Sequence, residues 1–168
     1  MAAFALGAAA QRQATESELK AAYLYRFLSF VEWPAGRFAD PQAPIVIALA
    51  GAPEVADELR LAVQGRRAQG RPVAVRSLAP GEAPGDAHVL FVGPDSARRL
   101  GALALEAPRG TLVVADGEEA LEHGAMIGFV AIEDRLRFAV ALDAAEQAGL
   151  RISSRMLSVA AEVKGRRP

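Results

Sequence analysis

The feature that most constrains this chain is a series of short, unbroken apolar runs set between stretches of helical periodicity. Ile45-Val46-Ile47-Ala48-Leu49-Ala50 lies between Pro44 and Gly51, Val89-Leu90-Phe91-Val92 follows His88, and residues 111–115 form a third run. None alternates with polar residues, so each reads as a strand covered on both faces, the pattern of a parallel sheet. Residues 53–63 carry Val55, Leu59 and Val63 at i, i+4 and i+8, which predicts a helix. Residues 95–106 predict another, with Leu100, Leu103 and Leu105 turned inward. A basic turn over residues 65–70 leads to a further strand at 73–78, and a Pro/Gly loop over 81–85 follows it.

The two ends of the chain read differently. Thr15 and Glu18 have the spacing of a capping box. Leu19, Ala22, Tyr23, Phe27, Phe30 and Val31 then recur at helical spacing, widened by Leu24 and Leu28, until Trp33-Pro34 ends the helix. Near the other end, residues 126–132 and 136–142 flank the turn Glu133-Asp134-Arg135 and form an antiparallel hairpin. A short helix over 144–148 stops at Gly149, and Ser153-Ser154 starts a last helix that runs through Val163. Strands alternating with helices, closed by a hairpin, predict an α/β three-layer sandwich, mostly parallel with an antiparallel edge. The 168 residues suit one domain, taken here as 15–165.

Composition excludes several classes of function. Nineteen basic against twenty acidic residues give a net charge of −1, which argues against nucleic-acid binding, since neutralising the phosphate backbone needs a clustered positive excess. No apolar run reaches the roughly 20 residues of a membrane span. Cysteine is absent, which removes disulfides, thiol nucleophiles and thiolate metal sites. Residues 1–14 are an export-signal remnant or a disordered start. The uncharged stretch 1–10 ends in Ala8-Ala9-Ala10, a small-x-small cleavage pattern, and export would place the protein in a periplasm.

In such folds chemistry belongs at the carboxyl ends of the parallel strands. The tips here are Gly51-Ala52-Pro53, Gly93-Pro94-Asp95-Ser96 and Asp116-Gly117-Glu118-Glu119. Gly51 stands without the other glycines of a dinucleotide loop, no Gly-rich loop carries a lysine, and no G-x-S-x-G elbow occurs. His88 and His123 lack a second ligand at metal-binding spacing. No catalytic residue, metal or cofactor is expected. Gly51, Gly93, Asp95, Ser96 and Asp116 remain as a candidate crevice for a small molecule, with Asp116, Glu118 and Glu119 either a cation site or a solvated turn.

Six of the ten aromatic residues fall between Tyr23 and Phe38. Phe27 and Phe30 suit a core stripe, while Tyr25 and Trp33, off that stripe or at its end, are either core or partner-contact anchors. Ser153 or Ser154 caps the last helix, or the cap and Arg155 together hold an anion.

Lys20-Ala21-Ala22-Tyr23-Leu24-Tyr25-Arg26-Phe27, leading to Phe30-Val31-Glu32-Trp33-Pro34, resembles the opening of the YfiR-like family. The stretch from Leu136-Arg137-Phe138 through Ala144-Ala145, Gly149-Leu150 and Ile152-Ser153-Ser154-Arg155-Met156-Leu157 resembles its close. The resemblance runs from about Glu18 to Val163. It implies a Rossmann-like fold, a homodimer, and a periplasmic regulator rather than an enzyme. Such a regulator holds an inner-membrane diguanylate cyclase of the YfiN type inactive by contacting its periplasmic sensor domain, and its release raises cyclic di-GMP and promotes biofilm formation. Trp33 and Arg155 match family positions. Two departures stand out: the disulfides of the best-known members are missing, and Gly128 and Ala141 occupy hairpin positions where the family often has Asn.

Overall fold

The apolar runs lie in the middle of one eight-stranded sheet in the computed structural model, which describes residues 14–165. In chain order the elements are α1 (Glu16–Phe27), β1 (Val31–Glu32), β2 (Ile45–Ala50), α2 (Pro53–Val63), β3 (Arg67–Ala68), β4 (Arg71–Leu78) and β5 (Val89–Val92). There follow α3 (Leu100–Glu106), β6 (Leu112–Asp116), β7 (Ile127–Ile132), β8 (Arg135–Ala141), α4 (Leu142–Gln147), β9 (Arg151–Ile152), α5 (Ser154–Val159) and β10 (Glu162–Lys164). Short 3-10 helices at Pro94–Arg99 and Glu118–His123 precede α3 and β7. The strand order is β10-β8-β7-β6-β5-β2-β4-β3, and β4, β2, β5, β6 and β7 are mutually parallel. The export reading of residues 1–10 falls outside the described residues.

Each face of the sheet has its own core. Ile45, Ile47, Leu49, Val89, Phe91, Leu112 and Val114 face α1 and α2, whereas Ala48, Ala50, Leu90, Val92, Val113 and Ala115 face α3. Helices on both faces of a mostly parallel sheet make the α/β sandwich that the apolar runs predict. Tyr23 and Phe27 of α1 meet Phe129 and Phe138 of the hairpin with ring centroids 5.2–6.1 Å apart. This contact sets α1 across the sheet.

Four sequence expectations change. The first helix ends at Phe27, not at Trp33-Pro34, because Val31 pairs with Ile152 in a small antiparallel sheet of β1 and β9 and the Ser153 N–H donates to the Phe30 carbonyl. Gln69 covers the vacated end by donating to the carbonyls of Leu28 and Val31, at 2.7 Å each. Leu105 is 89% exposed instead of inward. The run from Pro94 begins as a tighter 3-10 turn, so the α-helical phase starts afresh at Leu100 and only Leu100 and Leu103 face the sheet. The last helix stops at Val159, since Ala160 is extended and the Ala161 N–H donates to the Phe138 carbonyl. Residues 162–164 then form β10, parallel to β8, so the hairpin is not the sheet edge.

Candidate functional site

Gly51 and Gly93 follow adjacent strands, and neither has room for a side chain. A Cβ on Gly93 would lie 2.5 Å from the Gly51 carbonyl oxygen, and one on Gly51 would lie 2.4 Å from Ser96 Oγ. Gly51 has φ +62°, a left-handed conformation that glycine adopts without strain. The backbones close the gap between β2 and β5 and leave a hollow on each side of the Gly51-Ala52-Pro53 corner. One, about 250 Å³, is bounded by Glu16, Ser17, Lys20 and Asp95. The other, about 460 Å³, is bounded by Ser77, Leu78, Pro80, Ser96 and Arg99. Gly51 and Asp95 border both hollows, and Ser96 only the larger.

Asp116 joins neither. Lys20, 7% exposed, reaches over from α1 to place Nζ 2.9 Å from Asp116 Oδ1 and 2.9 Å from Glu16 Oε1. Asp116 Oδ1 is shut off from water and meets the ammonium as an ion pair. Burial alone would lower the Lys20 pKa, but the bonds and charges of Glu16 and Asp116 outweigh it and hold it above the usual lysine value. Next along the tip, Lys164 of β10 pairs with Glu118 at 3.2 Å. Both lysines of the chain therefore neutralise this acidic corner. Among the described residues, no group of three or more histidine or carboxylate side chains is placed to hold a metal ion.

The two aromatic anchor candidates both have their polar ends bonded to backbone carbonyls. Trp33 is half-buried beside Phe38 and donates Nε1–H to the His88 carbonyl at 3.0 Å. Tyr25 is half-buried and donates its hydroxyl to the Arg67 carbonyl at 2.8 Å. His88 is buried: Nδ1 accepts the Val46 N–H and Nε2 faces the Arg37 carbonyl, each at 3.0 Å, so the neutral ring carries its proton on Nε2. Arg37 in turn bonds the carbonyls of Ala87 and Gly110. The chain between β1 and β2 is thereby fastened under the sheet.

Arg155 has a different setting. The Ser153 side chain caps α5 by accepting the Arg155 N–H, which leaves the guanidinium exposed at the mouth of a groove of about 310 Å³ between α1 and α5. Phe27, Phe138 and Met156 form its buried floor, with Tyr23 and Phe30 half-exposed on its walls. Arg26 and Arg155 stand on its rim beside Val159, which is 59% exposed. Arg26 and Val159 were not singled out by the sequence. The available signal was the position of Arg26 within the aromatic run, between Tyr25 and Phe27.

A family model described as YfiR/HmsC-like matches residues 17–161. The chain belongs to the YfiR/HmsC-like family. Both segments that carried the resemblance are inside the matched span, and they supply the two sides of the groove. Among solved structures, a conserved domain protein from Vibrio cholerae O1 biovar El Tor strain N16961 is similar with a TM-score of 0.60 and 14% identity. The match covers 90% of this chain and 61% of that one, so the YfiR/HmsC-like chain spans under two thirds of its neighbour and shares its fold. No curated protein matches. The departure at Gly128 has a local cause, because a Cβ there would lie 2.4 Å from the Gly117 carbonyl oxygen.

Proposed function

We propose that this protein is an exported repressor that binds the periplasmic sensor domain of an inner-membrane diguanylate cyclase of the YfiN type and holds it inactive. Repression would lower cyclic di-GMP and restrain biofilm formation. The family match over residues 17–161 carries this reading. The protein would act by population shift, since a partner that binds the inactive cyclase more tightly than the active one favours the inactive state. The groove between α1 and α5 supports the mode of contact. It combines apolar floor, an exposed valine and two arginines, a combination suited to a docking anchor. Tyr25 and Trp33 lie outside the groove, bonded to Arg67 and His88, and Arg155 is the residue of the three that meets the partner. A homodimer accompanies this reading. Among the described residues no helix is long and apolar enough to cross a membrane.

Deleting the gene in its host and measuring cyclic di-GMP tests the proposal. The level is expected to rise, to return with the wild-type gene, and to stay raised with an Arg155→Glu variant that is exported and folded. Unchanged cyclic di-GMP across growth conditions would overturn the repressor reading. A small-molecule sensor would then lead, on the strength of the 460 Å³ hollow beside Ser77, Ser96 and Arg99.

A further inference from the structure

We infer that the groove between α1 and α5 takes an acidic segment of the partner protein, seated by one large apolar side chain. The inference rests on the docking reading above and adds the chemistry of what docks. Its first ground is local charge. The chain as a whole is balanced at −1, yet the groove is lined by two arginines and no carboxylate. Among the described residues neither the Arg26 nor the Arg155 guanidinium has an ion-pair or hydrogen-bond partner, a state shared by Arg98, Arg99, Arg135 and Arg151, but Arg26 and Arg155 are the two that border this one apolar groove.

The second ground is that the fold does not account for both charges. Arg26 sits in the last turn of α1, where a cation suits the helix dipole. Arg155 sits in the first turn of α5, where a cation opposes it. Ser153 already supplies the cap through its side chain, so the guanidinium does nothing for the helix end.

The third ground is shape. At about 310 Å³ the space is at the lower end of small-molecule clefts, which run about 300–1,000 Å³, and it lies open to solvent along one side. Its floor is apolar and its charges are confined to the rim. An apolar side chain would be desolvated on Phe27, Phe138 and Met156, with Val159 closing over it, while flanking carboxylates meet the arginines. Rim charges of this kind select the partner and speed its approach more than they deepen the affinity.

The test uses the full chain and three fluorescent peptides. One has a central phenylalanine flanked by glutamates, one has lysines in place of the glutamates, and one has alanine in place of the phenylalanine. The acidic peptide is expected to bind about tenfold more tightly than its lysine twin, the sum of two rim ion pairs, and to lose that margin at high salt. Replacing the phenylalanine is expected to weaken binding of the acidic peptide about tenfold or more, and introducing Arg26→Glu with Arg155→Glu to remove or reverse its advantage over the lysine twin. Thermal melts of the double variant should match wild type, because both side chains are exposed.

Equal binding of the acidic and lysine peptides, or none at about 1 mM, would overturn the inference. So would a wild-type dimer that the double variant splits in sedimentation, since a second copy would then fill the groove. Cyclic di-GMP in cells carrying the double variant separates this inference from the repressor reading. Full repression alongside a lost peptide preference would refute docking through the groove while leaving its chemistry intact. A raised level with no peptide preference in wild type would keep the docking face and refute the acidic segment.

Discussion

His88 shows how much a single side chain can hold in place. The sequence offered an isolated histidine at a strand entrance, and nothing in its spacing disclosed that both ring nitrogens are used. Its Nδ1 takes the N–H of Val46, and Phe38 stacks on the ring at 4.3 Å with the Arg71 guanidinium 3.8 Å beyond. Burial pushes its pKa below the usual histidine value, and the nearby Arg37 and Arg71 charges act in the same direction against the bond to the Arg37 carbonyl and the Asp86 charge. A lowered pKa means that the folded state binds fewer protons than the unfolded chain. Stability is therefore intact above the unfolded pKa of about 6.5 and falls as pH drops below it toward the folded value. Urea midpoints between about pH 7 and pH 5, above the carboxylate range, should decline for wild type and stay level for His88→Gln. A level wild-type profile would show that the ring protonates without cost.

Among the elements, the helices and strands that fill both faces of the sheet were legible and those that close its ends were not. The helix over 53–63 was found to the residue, and the hairpin lies within a residue or two of its expected ends. Periodicity reports burial, and in these segments burial decides the structure. At residues 28–31 and 160–164 pairing with a distant strand outweighs helical spacing, and a single sequence holds no trace of that competition. The tip of β7 makes the point testable. Gly117 donates to the Phe129 carbonyl at 2.7 Å and brings its own carbonyl against Gly128. Gly128→Ala would force backbone apart, and such overpacking costs about 1–3 kcal/mol, read as a lower urea midpoint. An unchanged midpoint would mean that the loop yields. The same contact explains why an Asn at this position has no room here.

For the whole molecule, the centre of the sheet and its margins differ in how they are held. β2, β5 and β6 are buried on both faces, whereas β3 has two residues and β10 three, both at edges. Amide exchange should be slowest in β2, β5 and β6 and fastest in β3 and β10, because edge strands open without global unfolding. Uniform protection across all five would contradict this ranking. The candidate site was half legible at this scale. Arg155 was reached through the closing motif, and Val159 lies four residues further on the same helix, but Arg26 comes from α1 and joins them only in the folded chain. The strand-tip residues were grouped by topology, which could not foresee that Gly51 and Gly93 would touch or that a lysine from α1 would claim Asp116.

The two lysines give the molecule a pair of built-in reporters. Lys20 ties α1 to the end of β6, and Lys164 ties the closing strand to the loop that follows it. One amine is nearly enclosed and the other is accessible. An acylating reagent should therefore modify Lys164 quickly and Lys20 only when α1 lifts away, so the ratio of the two products clocks the detachment of the helix that bears the groove.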